Sequence, residues 1–322
     1  MRDDLIADWL SRGPAAGWTR TQLAGDASTR RYERLHAPDL SRTAILMDAP
    51  PDLCGPQDAF LRIAARLQQA GLSAPEVLAA DTTLGLILLE DLGNTDFAQH
   101  LRSAPEDEQM LYEHAVDVLI HLNKVPAPDG LTRLTAEIGA QMLDPLFDWF
   151  APDTPHDRQQ SIRAEMTRLL EPITTGSAVI ALRDYHAENL IWRPEQTGLA
   201  RVGLLDFQDA FVAPPVYDLA SLLRDARRDV SRTTTDAMIQ RFASATHQAP
   251  GTLTADLAVI AVQRNLRILG IFARLTKRDS KPGYAALIPR VQAHVLSDLS
   301  HPVLAGLQSD VQSLLSEHEV GS

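Results

Sequence analysis

Apolar residues keep two different spacings along this chain, and the change falls near residue 93. Before it, short alternating or apolar runs are bounded by turn formers: "TRTQLA", "RRYERLHA" and "TAILMDA" between residues 19 and 49, then "EVLAAD" and "LILLEDLG" between 76 and 93. These predict five strands. Between the third and fourth lies "PQDAFLRIAARLQQAG", whose Phe60, Ile63, Ala64 and Leu67 share one helical face and whose Gly71 stops it. Leu5, Ile6, Trp9 and Leu10 predict a short docking helix ahead of the strands.

After Gly93 the period lengthens. "EDEQMLYEHAVDVLIHLNKV", "AEIGAQMLDPLFDWF" and "RQQSIRAEMTRLLEPI" predict amphipathic helices. Short strands follow from 178 to 207, then helices to the end. The pattern predicts an α/β (α+β) chain: a small antiparallel-sheet lobe over 1–92, and a larger helical lobe over 93–322.

Composition narrows the reading. The chain has 322 residues, 45% hydrophobic and 22% charged, an ordinary globular balance for two lobes. The net charge of −12 argues against a general nucleic-acid or anionic-membrane binder, since both need basic patches. The single cysteine, Cys54, excludes an internal disulfide and suits a reducing compartment. The opening residues carry two acids and no apolar core, unlike a signal peptide, and no run approaches the ~20 residues of a membrane helix. A cytoplasmic monomer is expected.

The candidate chemistry is concentrated in "LRDYHAENLIW" and "GLLDF". "NLIWR" and "ARVGLLDF" form a hairpin through "PEQTG"; if it is centred there, facing residues have numbers that sum to about 395, which pairs Asn189 with Asp206. An amide and a carboxylate at the open end of a hairpin suit Mg²⁺, a hard cation that keeps waters and phosphates in its shell. Asp184 lies five residues before Asn189, the spacing of a kinase catalytic loop, where the Asp accepts a hydrogen bond from the attacking hydroxyl. As single residues, Asp184 and Asn189 also read as turn formers and Asp206 as a helix cap. There is no Walker A loop, no zinc-ligand spacing and no G-x-S-x-G elbow.

With these residues in place, nearly the whole chain resembles the aminoglycoside phosphotransferase and choline kinase-like family, which implies a bilobal protein-kinase-like fold. The family pattern has His and Gly before the catalytic Asp; here Leu182 and Arg183 stand there, while Asp184, His186 and Asn189 keep their places. "GLLDFQDAFVAPPVYDLASLL" matches the metal-Asp segment, with Asp206 as ligand and Asp218 as an Asp that holds the catalytic loop. "GDASTRRYERL", "LMDAPP", "LLEDLG", "QRNLRILGIFARL" and "YAALIPRV" resemble, more narrowly, the N-acetylmuramate and N-acetylglucosamine kinases of cell-wall recycling, which act on the anomeric hydroxyl.

The resemblance implies ATP and Mg²⁺ as cofactors. The turn of Gly25, Asp26, Ala27, Ser28 and Thr29 would cover the phosphates, and the main chain of Glu90 and Leu92 would reach adenine. His186, Asp209, Arg264, Asn265 and Arg267 are candidate substrate-side residues, with loop support, capping or solvation as the plainer alternatives. The third-strand lysine of protein kinases is missing: Met47 or Asp48 takes its place, and the following helix has no glutamate. Arg31, ahead of Arg30, is the expected replacement cation, with Arg62 and Arg66 in reserve. Another alcohol acceptor, such as choline or an aminoglycoside, and a catalytically silent binding module are the competing readings.

Overall fold

β3 (Thr43–Asp48) is the strand on which the smaller part of the molecule is built, because both of its faces are apolar and both must be covered. The computed structural model describes residues 2–23 and 30–318. In it, α1 (Arg2–Ser11) precedes β1 (Thr19–Gln22) and β2 (Arg31–His36), and β3 leads through the single turn α2 (Pro51–Cys54) to α3 (Asp58–Gln69) and then to β4 (Val77–Asp81) and β5 (Leu86–Glu90). The five strands form one antiparallel sheet in the order β1-β2-β3-β5-β4.

Strand alternation divides its side chains cleanly. Leu35, Ala44, Leu46, Leu86 and Leu88 pack with Ile6 and Leu10 of α1. Burying two such aliphatic side chains contributes roughly 3–6 kcal/mol, enough to dock a helix of ten residues. The β4–β5 turn requires glycine at position 85: its φ is 67°, and a Cβ there would lie 2.1 Å from the Ala49 carbonyl oxygen.

The chain separates into two compact units. One takes the residues through Asp96 together with Leu190–Asp209; the other takes Phe97–Asn189 and everything from Ala210 on. The division therefore falls a little after the expected boundary at Leu92. It also joins the hairpin of β7 (Leu190–Trp192) and β8 (Val202–Leu204) to the sheet unit, where Leu204 N–H donates to the Ser73 carbonyl and Trp192 N–H to that of Thr95.

The second unit is mostly helical. It contains α4 (Phe97–Ser103), α5 (Glu108–Leu122), α6 (Ala136–Gln141), α7 (His156–Thr174), α8 (Val216–Leu223), α9 (Arg232–Thr246), α10 (Pro250–Lys277), α11 (Ile288–Asp298) and α12 (Ala305–Glu317). A small ladder within it pairs β6 (Val179–Ala181) with β9 (Phe211–Ala213). α10 is the central post, buried over most of its length, and Gly270 lets the backbone at Pro145 approach it closely. No helix among the described residues is long and apolar enough to cross a membrane.

Candidate active site

The loop that follows β6 is held under backbone strain. Arg183 has φ 75°, in the left-handed region, and Asp184 N–H closes a three-residue turn onto the Leu182 carbonyl at 3.0 Å. This is the strained hand of the γ-turn, stable only when its surroundings fix it. Four contacts do so. The buried Asp218 carboxylate, in the first turn of α8, accepts the N–H groups of Leu182 at 2.6 Å and Arg183 at 3.0 Å. The Arg183 carbonyl accepts from Arg264 Nη1 at 2.9 Å and from Ser221 Oγ at 3.3 Å. Burial pushes the Asp218 carboxyl up to about 6, against the lowering effect of its two backbone donors and the Arg264 charge. The match to a loop-holding Asp218 is thus a direct hydrogen-bonded contact.

The next residues fix an amide. His186 is buried, and burial together with the charges of Arg227 and Arg264 holds its pKa well below the usual histidine range, so the ring is neutral. Arg227 Nη1 lies 3.2 Å from His186 Nε2. Arg can only donate, so Nε2 is the acceptor and the ring proton sits on Nδ1. Asn189 Nδ2 then donates to the same Nε2 at 3.2 Å and to the Asp184 carbonyl at 2.9 Å. Both amide protons are committed within the loop, which leaves Oδ1 as the outward acceptor. That orientation fits a cation ligand. His186 itself is a loop brace rather than a surface-presented substrate contact.

The sheet unit carries the other half of the candidate chemistry. Asp206 follows β8 with φ 58°, is exposed, and accepts from Gln208 Nε2 at 2.6 Å. Its neighbour Phe207 is fully buried and stacks on Phe60 of α3, with ring centroids 5.1 Å apart. The aromatic pair anchors the Asp206 segment to that helix. The β7–β8 ladder runs one step short of the expected register, pairing Leu190 with Leu204 and Ile191 with Gly203. The cause is the 3₁₀ turn Gly198–Arg201, which takes up chain on one side of the loop only.

Strand register separates the faces of the two candidate cations. Arg31 pairs with Asp48, and its guanidinium lies on that buried carboxylate at 2.6 Å, shared with Arg2 of α1. Arg31 therefore faces α1, not the other side. Met47 pairs with Tyr32 on the opposite face. The Tyr32 phenol is pushed up to about 12, chiefly by burial, and the charges of Arg30 and Asp206 act on it as well. Arg30 and Asp206 thus both act on the face of Tyr32, away from the Arg31–Asp48 pair.

At the end of β5, Glu90 N–H already donates to the Glu76 carbonyl, and the Glu90 carboxylate meets Arg193 at 3.2 Å. Leu92 is buried against Gly203 of the hairpin. Asp91, which sequence reasoning passed over, binds Arg34 at 2.7 Å and accepts the Gly93 N–H. Gly25, Asp26, Ala27, Ser28 and Thr29 lie outside the described residues. Asp209 is an exposed turn residue of the sheet unit. Arg264 and Asn265 are both buried in α10 of the helical unit; Arg264 is spent on the loop contacts above.

Comparison with known proteins gives the family and the fold. Residues 19–260 match the model of a phosphotransferase enzyme family. The chain belongs to that family. A Caulobacter vibrioides protein named N-acetylmuramate/N-acetylglucosamine kinase is 39% identical, over 96% of this chain and 95% of its own. A Pseudomonas aeruginosa protein of the same name is 30% identical, over 93% and 91%. Solved structures share the fold at low identity. Choline kinase LicA of Streptococcus pneumoniae has a TM-score of 0.67 at 13% identity, covering 92% of this chain and 99% of its own. A Mesorhizobium loti choline/ethanolamine kinase family protein has 0.66 at 15%, covering 97% and 100%. The fold is protein-kinase-like, and the chain is a phosphotransferase enzyme.

Proposed function

We propose that this enzyme is an ATP- and Mg²⁺-dependent cytoplasmic kinase that phosphorylates the anomeric hydroxyl of N-acetylmuramate or N-acetylglucosamine in peptidoglycan recycling, acting as a monomer. The observation that carries the substrate class is the 39% identity over almost the full length of both chains with the Caulobacter kinase.

Asp184 is the catalytic carboxylate. It accepts the proton of the anomeric hydroxyl as that oxygen bonds to the γ-phosphorus of ATP and the bond to the departing ADP breaks. The strained turn at Arg183 and the Asp218 anchor hold its backbone, so little reorganisation is needed at the moment of transfer. Asn189, through its oriented Oδ1, and Asp206 would hold Mg²⁺. Among the described residues no three His, Cys, Asp or Glu side chains cluster as a metal cage. Two protein oxygens are what a cation that also binds phosphates and waters requires. The bound ion would neutralise charge on the phosphates. Arg30 replaces the missing third-strand lysine as the nearby cation, and the main chain at Leu92 takes the adenine.

The test is Asp184→Asn. Turnover should fall by roughly a thousandfold or more while nucleotide affinity stays near the parent value, because the carboxylate meets the hydroxyl and not ATP. Phosphorus NMR with proton coupling on the product of the parent enzyme reads the position of transfer; phosphate at C6 would defeat the anomeric assignment.

A further inference from the structure

Arg267 lies three residues beyond Arg264 on α10, and therefore on the same side of the helix. Arg264 is fully committed. Its Nη1 and Nη2 donate to the Arg183 carbonyl at 2.9 Å and Ser221 Oγ at 2.5 Å, and its guanidinium sits 4.6 Å from the Tyr217 ring centroid. The Arg183 guanidinium lies over Phe211 at 5.8 Å, and Phe211 meets Tyr217 edge-on at 4.8 Å. Two aromatic rings and two guanidinium groups thus form one wall beside Asp184, and the Arg267 guanidinium lies within electrostatic reach of Arg183, Arg264, Tyr217 and Asp184.

The wall has no directly paired countercharge, although Asp184 acts on Arg267 from a distance. Among the described residues neither Arg183 nor Arg267 has a carboxylate partner through its guanidinium, in a chain where most other arginines are paired. Burial and the charges of Arg183 and Arg264 press Arg267 down to about 10, with Tyr217 and Asp184 acting the other way. Asp218 is taken up by two backbone N–H groups. The fully buried Tyr217 adds a hydroxyl that has no hydrogen-bond partner among the described residues. A partly desolvated, unpaired guanidinium beside two others is unfavourable. An incoming carboxylate supplies what is missing and matches the fork of Arg.

We propose that Arg267, together with Arg183, forms a subsite for a carboxylate carried by the acceptor, which for the sugars above is the lactyl carboxylate of N-acetylmuramate. The inference rests on the proposed substrate class and explains how one site would separate its two sugars, since N-acetylglucosamine has no such group. The acceptor is favoured over the ATP phosphates as the source of the anion because Arg183 is the immediate chain neighbour of Asp184, the carboxylate proposed to meet the acceptor hydroxyl.

The experiment measures kcat/KM for both sugars, and KM for ATP, with the full-length parent, Arg267→Gln and Arg267→Lys. The ratio of kcat/KM for N-acetylmuramate to that for N-acetylglucosamine should fall about tenfold to a hundredfold in Arg267→Gln, the usual worth of a charged hydrogen-bonded pair. Arg267→Lys keeps the charge but not the fork, so its ratio should fall by about threefold to tenfold. Should Arg267→Gln not fold, the lysine variant decides alone. Losses equal for the two sugars, an unchanged ratio, or an effect confined to the KM of ATP would each overturn the subsite while leaving the kinase reading intact. A parent inactive on both sugars would overturn the functional reading and the subsite with it.

Discussion

Replacing Asp218 by Asn isolates the device that holds the catalytic loop. The carboxylate is fully buried and accepts two backbone N–H groups; an amide oxygen accepts one or both weakly, and its NH₂ opposes the N–H it displaces. Leaving one buried N–H unmet costs about 1–3 kcal/mol. Against this stands the charge. The folded-state pKa is raised from 3.8 to about 6, so the ionised form is disfavoured in the native protein by about 3 kcal/mol, at 1.36 kcal/mol per unit. Because the folded pKa lies above the unfolded one, the stability contribution is full below about pH 4 and is lost as pH rises through about 6.

Asp218→Asn removes that dependence. Near pH 8 the two effects offset, and the variant should lie within about 2 kcal/mol of the parent in urea unfolding. Between pH 4 and 7.5 the parent should lose about 2.4 kcal/mol that the variant does not lose, read as the difference between their two pH curves. Turnover should nevertheless fall about a hundredfold at pH 8, because the turn that carries Asp184 has lost an anchor and small displacements of a catalytic group are expensive. Parallel pH curves, or a kcat within threefold of the parent, would refute the assignment of Asp218 as a strained-loop anchor whose ionisation opposes folding.

Three further outcomes are expected. Asp206→Ala should weaken Mg·ATP binding by about tenfold or more in calorimetry and lower turnover with it; parent-like binding would remove Asp206 from the metal site. Arg30→Ala should raise the KM for ATP, whereas Arg31→Ala, whose half-exposed guanidinium only reinforces the Arg2–Asp48 pair, should leave that KM unchanged and lower stability by less than about 1 kcal/mol. Gly270→Ala places a Cβ 2.1 Å from the backbone carbon of Pro145, so unfolding in urea should show a loss of about 2–3 kcal/mol unless α10 shifts.

The five strands and their order along the chain were legible because alternation, turn residues and a glycine-stopped helix all act within a few residues of one another; their order across the sheet was not. Nor was the face that Arg31 takes. Alternation sends Arg30 and Arg31 to opposite sides, but β3 is apolar on both, with Ala44 and Leu46 on one and Ile45 and Met47 on the other. Only the docking of α1, which brings Arg2 to Asp48, decides which side is which.

The proposed catalytic loop divides the same way. Asp184 and Asn189 stand out as candidates because their spacing is local. Of their supports, Asp218 was named from the resemblance and Arg264 only as a substrate-side candidate, while Ser221, Asp225 and Arg227 are distant in sequence and look there like ordinary surface polar residues.

Arg183 joins the two levels. The family pattern has glycine at this position, and the φ of 75° shows why glycine suits it. An arginine holds the same turn at about 1 kcal/mol or more of backbone strain, offset by the bonds to Asp218, Ser221 and Arg264. Glycine would hold that turn unstrained but would bring no charge. The departure from the pattern is therefore best understood through the guanidinium it places beside Asp184, on the wall that Arg267 shares.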